Sequence, residues 1–155
     1  MSDSDVKSRL RAAMTAAMKA REELALGALR QALSEVAVVE TAGNEVVVLS
    51  DEQVLAVVAV EVRKHHETAD AFVTAGRPEQ AARSRAEAAV LEAYLPAALS
   101  DDELQRIIGE EIAAAAADGA EGMKAMGRVV SAVRAKAGPT ADGAKIAAAV
   151  KAGLS

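Results

Sequence analysis

The chain of 155 residues contains no cysteine and no tryptophan, and its only aromatic side chains are Phe72 and Tyr94. Without cysteine there is no disulfide framework and no thiolate chemistry. Two rings offer almost nothing for bases to stack on, which argues against the modules that grip single-stranded nucleic acid. Long apolar runs are missing too: stretches such as Val54–Val60 fall far short of the roughly 20 residues a membrane span needs. Asp3 and Asp5 stand where a secretory leader would carry basic residues, and no apolar run follows them. The expectation is a soluble cytoplasmic protein with no membrane partner. A nucleophile elbow, a phosphate-binding glycine loop and a dinucleotide fingerprint are all absent.

What the chain does have is small apolar residues. Hydrophobic residues make up 52%, mostly Ala, Val and Leu, so a core is affordable only if small side chains let helices come close. Their spacing is helical almost throughout. Val6, Leu10, Met14 and Ala17/Met18 predict a first helix over 4–20, capped by Ser4 or Asp3, with Lys7, Arg9, Arg11 and Lys19 on its other faces. Leu26, Leu29, Leu33 and Val36 predict a second over 22–41. Glu45–Leu49 is a β-branched run with no partner strand, which we read as an extended lead-in. Ser50 with Gln53 is a capping box, and Leu49 with Val54 a hydrophobic staple. The third helix, about 51–75, buries Val54, Leu55, Val58 and Val62, then Ala69 and Phe72. Gly76 suits its left-handed end and Pro78 the first turn of a fourth helix, about 78–94. On that helix Ala82, Ala86, Ala89, Val90 and Ala93 share the expected buried side.

Leu91–Leu104 divides the chain. Pro96 cannot sit inside a helix without losing a hydrogen bond, and it biases Leu95 away from helical angles. Ser100 with Glu103 forms another capping box. The flanking Leu91, Leu95 and Leu99 should tuck this joint against its neighbours. We place a domain boundary here, with 1–97 and 98–155 on its two sides. Beyond it, Leu104, Ile107, Ile108 and Ile112 define a fifth helix ending at Asp118-Gly119. Met123, Met126, Val129, Val130 and Val133 define a sixth, ended by Gly138-Pro139. Ile146, Ala147, Val150 and Leu154 define a seventh, about 141–152, capped by Thr140. The fold class is all-α, a four-helix domain followed by a small three-helix domain.

Chemistry is sparse. Glu61 lies one turn before His65, which suggests a metal face. Yet His65 and His66 point about 100° apart on a helix, and no further ligand stands at a recognisable spacing. We read the histidines as a solvated pair and Val62–His66 as an ordinary exposed face, with a modest basic edge as the alternative. Asp101/Asp102 and Glu110/Glu111 suit capping and solvated surfaces better than acid–base work. No metal, cofactor or catalytic residue is expected.

Charge is segregated. Residues 1–98 carry 11 basic and 15 acidic side chains, net −4; residues 99–121 carry 1 and 7, net −6; residues 122–155 carry 6 and 1, net +5. The last set is Lys124, Arg128, Arg134, Lys136, Lys145 and Lys151. Lys124 and Arg128 are one turn apart and should share a face. Such a set serves solubility and helix-dipole complementarity, or else contacts phosphates without regard to sequence.

Tyr94-Leu95-Pro96 followed by Leu99-Ser100 and Glu103-Leu104 resembles the YLP-x-x-LS linker of the GatB/YqeY family. Leu29-Arg30, Gly76-Arg77, Met126-Gly127-Arg128-Val129, and Gly138 with Asp142-Gly143 resemble further motifs of that family, in order along the chain. Ala125 stands where the family often has an acidic residue, and Val130 where it has methionine. The resemblance implies kinship with the non-catalytic tail of the B subunit of glutamine-dependent tRNA amidotransferase, which helps to hold tRNA. A carbon–nitrogen ligase label would then be inherited from the whole enzyme, whose transamidation site lies in a domain absent here. The leading expectation is a helical module that binds tRNA or structured RNA through the six cations, with Lys124, Arg128, Arg134 and Lys136 foremost. The rival is a protein-interaction module, docking on the amidotransferase or another protein. A stand-alone enzyme comes last.

Overall fold

The helix starts are written in local chemistry. In the computed structural model, which describes residues 4–138 and 141–155, the Ser4 hydroxyl accepts the Lys7 N–H at 3.1 Å and opens α1 (Asp5–Ala20). Ser50 and Gln53 exchange side-chain and backbone bonds at the start of α3 (Asp51–Thr74), and Ser100 and Glu103 do the same for α5 (Asp101–Ala117). Both capping boxes are as read from the sequence. α2 runs Glu23–Glu40 and α4 runs Pro78–Glu92, with Pro78 in its first turn. A 3-10 turn (Gly122–Ala125) leads into α6 (Met126–Ala137), and α7 spans Gly143–Leu154.

The ends are equally local. After α3, the Arg77 N–H bonds the Phe72 carbonyl at 2.8 Å and the Gly76 N–H bonds Val73 at 3.0 Å, with Gly76 at φ +73°. This double bond satisfies carbonyls the helix would leave open, and it needs a left-handed residue. α1 closes in the same way, Glu22 to Ala17 and Arg21 to Met18, but there the left-handed residue is Arg21 at φ 59°. Glu45–Leu49 pairs with nothing as a strand, and no strand occurs among the described residues. The fold is all-helical.

The chain divides into two compact units, one through Leu95 and one from Pro96 onward. The backbone is non-helical from Pro96 to Ser100, so no helix runs through the proline. The first unit holds α1–α4 around Leu10, Leu29, Val36, Val54, Val58 and Leu91, with Ala28, Ala32 and Ala88 letting the helices approach. Leu49 and Val54 belong to this core, as the staple requires, and Leu95 packs against it. The second unit holds α5–α7 around Leu104, Ile107, Ile108, Val129, Val133, Ile146 and Val150, with Leu99 packed on its edge.

Several expected faces are corrected. α4 buries Ala81, Ser84, Ala88 and Leu91, while Ala82, Ala86 and Ala89 are exposed. Alanines on every side of this helix leave no apolar stripe to read, and contact with the rest of the unit chooses the face. Met123 is 55% exposed and Ala125 is fully buried, because the 3-10 turn shifts the register before α6 begins. Lys7, expected on a solvated face, is buried. α7 is capped by Asp142, whose carboxylate accepts the Ala144 N–H at 2.9 Å. Pro139 and Thr140, expected to end α6 and cap α7, lie outside the described residues.

Candidate functional site

The six cations of the C-terminal segment all lie on exposed positions of the second unit. Lys124 is on the 3-10 turn. Arg128 is in the first turn of α6, and Arg134 and Lys136 are in its last. Lys145 begins α7 and Lys151 ends it. Lys124 and Arg128 therefore straddle a change of helix type and do not share one regular α-turn.

Three of the six are tied to carboxylates of the acidic segment just before them. Arg128 donates to Asp118 at 2.6 Å, Lys145 donates to Asp101 at 2.7 Å, and Lys136 pairs with Glu111. The sequence reading treated Asp101 and Glu111 as cap and solvated surface, and missed these pairings. The signal was present: a run of net −6 directly followed by one of net +5. The hydrogen bond and charge of Lys145 hold the Asp101 carboxyl below its usual range, and Asp101 raises Lys145 in return. Glu111 raises Lys136 by the same two causes. The remaining three, Lys124, Arg134 and Lys151, have no carboxylate partner among the described residues.

Arg134 has a particular setting. With Met126, Gly127, Val130, Ser131 and Ala147 it lines an open groove between α6 and α7. Its guanidinium lies over Gly143, where an added Cβ would stand 3.5 Å from Cζ. That is ordinary van der Waals contact, so the guanidinium packs against the start of α7 and would tolerate a methyl group there. The groove combines apolar floor, a flat cation and a neighbouring helix start.

The histidine cluster is in the first unit and differs from expectation. His65 is buried, not solvated: it is 7% exposed, and Glu61 one turn before it is 1% exposed. Val62 is buried as well, so within Val62–His66 the exposed residues are Arg63, Lys64 and His66. His65 Nδ1 lies 3.2 Å from Glu87 Oε2, and Arg83 bonds the other oxygen of Glu87 at 3.3 Å. Lys64 donates to Glu61 at 3.1 Å, and that bond and charge raise the lysine. Of the two histidines only His66 is exposed, and it pairs with Glu92. Among the described residues no three metal-ligating side chains come together, and no helix is long and apolar enough to cross a membrane.

The class of protein is thus defined: a small all-helical protein of two units whose surface chemistry is cationic on α6, α7 and the turn before them. A model of the YqeY-like protein family matches residues 7–154, and the chain belongs to that family. No curated protein matches it.

Proposed function

We propose that the protein is a non-catalytic binding module of two domains, the C-terminal of which holds tRNA or another structured RNA through its phosphates. The observation that carries this reading is the set of cations left over after internal pairing. Lys124, Arg134 and Lys151 are exposed and unpaired with carboxylate, and Arg134 borders the α6–α7 groove. A guanidinium meets phosphate with a planar fork of donors, while a lysine offers a compact point charge. Arg128, Lys136 and Lys145 work against Asp118, Glu111 and Asp101 and contribute less. With few aromatics, the contact is to backbone and shape, not to stacked bases. The resemblance to the amidotransferase tail supports the same partner, and a cytoplasmic location fits it.

A fluorescence titration with bulk tRNA at a low and a high salt concentration tests this. Binding at low salt that weakens steeply as salt rises is expected, because cations that neutralise phosphates release counterions. Absence of binding at low salt contradicts it.

One observation favours a second reading, a protein-docking module. Val38, Val39, Val46 and Val47 are exposed around the end of α2 and the segment that follows. Affinity purification after RNase treatment separates the two: a stoichiometric protein partner that survives RNase favours docking.

A further inference from the structure

Glu61 and His65 sit one turn apart on the buried side of α3, and each keeps one polar atom without a partner among the described residues: Glu61 Oε2 and His65 Nε2. Their other atoms are engaged. Glu61 Oε1 accepts from Lys64, and His65 Nδ1 faces Glu87 Oε2. A carboxylate only accepts, so Nδ1 carries a proton, and in the neutral imidazole Nε2 then presents a lone pair. In that form the two orphan atoms are both acceptors, and they cannot satisfy each other. Side chains at this spacing have Cβ atoms about 5–6 Å apart. A molecule that spans such a gap must be small and must carry two donors.

We infer that a single internal water is held between Glu61 Oε2 and His65 Nε2, giving one proton to each. Buried waters typically occupy sites of this kind, joined to polar groups that have no other partner. The water completes a polar chain that crosses from α3 to α4: Lys64, Glu61, water, His65, Glu87, Arg83. The chain fixes the imidazole's orientation from both nitrogens. A metal ion is the poorer occupant, because no third metal-ligating side chain among the described residues joins the pair.

The test uses the intact chain. Nitrogen-15 NMR of the imidazoles, with His66→Gln to assign them, reads which nitrogen of His65 carries the proton. A high-resolution crystal structure reads the occupant. The expected results are a proton on Nδ1 alone and one water within hydrogen-bond distance of both orphan atoms. Glu61→Met should then lose the water, because His65 Nε2 would be the one orphan group of the pair still able to hold it. Protons on both ring nitrogens with a direct bond to Glu61 would overturn the inference. So would metal density between the two groups, no ordered occupant, or a water that persists in Glu61→Met.

Discussion

Two residues carry more of the fold than their types suggest. Arg21 closes α1 in a left-handed conformation that costs an L-residue with a Cβ roughly 1–2 kcal/mol. Arg21→Gly removes that strain, partly offset by the freer unfolded chain, and should stabilise the protein by about 0.5–1 kcal/mol in a urea melt. Lys7 is the opposite case. Its ammonium is buried and meets Glu40 Oε1 at 2.7 Å, while Glu40 Oε2 accepts the Leu49 N–H at 3.2 Å. One carboxylate thus joins α1, α2 and the lead-in to α3. Lys7→Met leaves that charge buried without its main counter-ion, which should cost about 3–5 kcal/mol. Lys7→Met combined with Glu40→Gln should recover much of the loss in the same melt, since the double change removes both members of the buried pair. Neither feature was legible in the sequence. A lysine on an amphipathic helix reads as solvated, and nothing local to residue 7 announces residue 40.

At the scale of elements, the sequence showed starts and stops far better than faces. Ser50/Gln53 and Ser100/Glu103 are local devices, complete within four residues, and they close as read. So do Gly76 and Pro78. The face of α4 depends instead on its neighbours, because its alanines are spread all round. Exchanging the positions exposes the difference: Ala82→Lys should change stability by less than about 0.5 kcal/mol, whereas Ala88→Leu, at a fully buried site, should cost about 1–3 kcal/mol. His65 was misread for a related reason, since a polar residue on the inner face breaks the apolar pattern that identifies that face. Within the second unit, Asp101 ties the start of α5 to the start of α7 through Lys145. Its carboxyl is held below the usual range in the folded state, so its stabilising contribution is present at neutral pH and is lost as pH falls through that lowered value. The stability gap between the chain and Asp101→Asn should be open at neutral pH and closed well below about pH 4, and it should shrink with added salt because both groups are exposed.

For the whole molecule, charge segregation was legible and its consequence was not. The sequence offers six cations in the last 34 residues and puts Lys124, Arg128, Arg134 and Lys136 first. Folding turns half of them toward the acidic segment and leaves Lys124, Arg134 and Lys151 facing solvent. Pairings across 10, 25 and 44 residues are set by how α5, α6 and α7 assemble, and no spacing rule reveals them. The family was legible because its motifs, Leu29-Arg30 inside α2 excepted, sit at joints and helix ends, where local chemistry constrains the residue. The central claim is that the leftover cations meet phosphates. Its most direct test is the slope of log affinity against log salt for bulk tRNA, compared between the chain and Lys124→Glu/Arg134→Glu/Lys151→Glu. The account predicts a slope shallower by about 3 in the triple variant, roughly one per lost phosphate contact, with weaker binding at every salt concentration. Equal slopes in two equally folded proteins would contradict it.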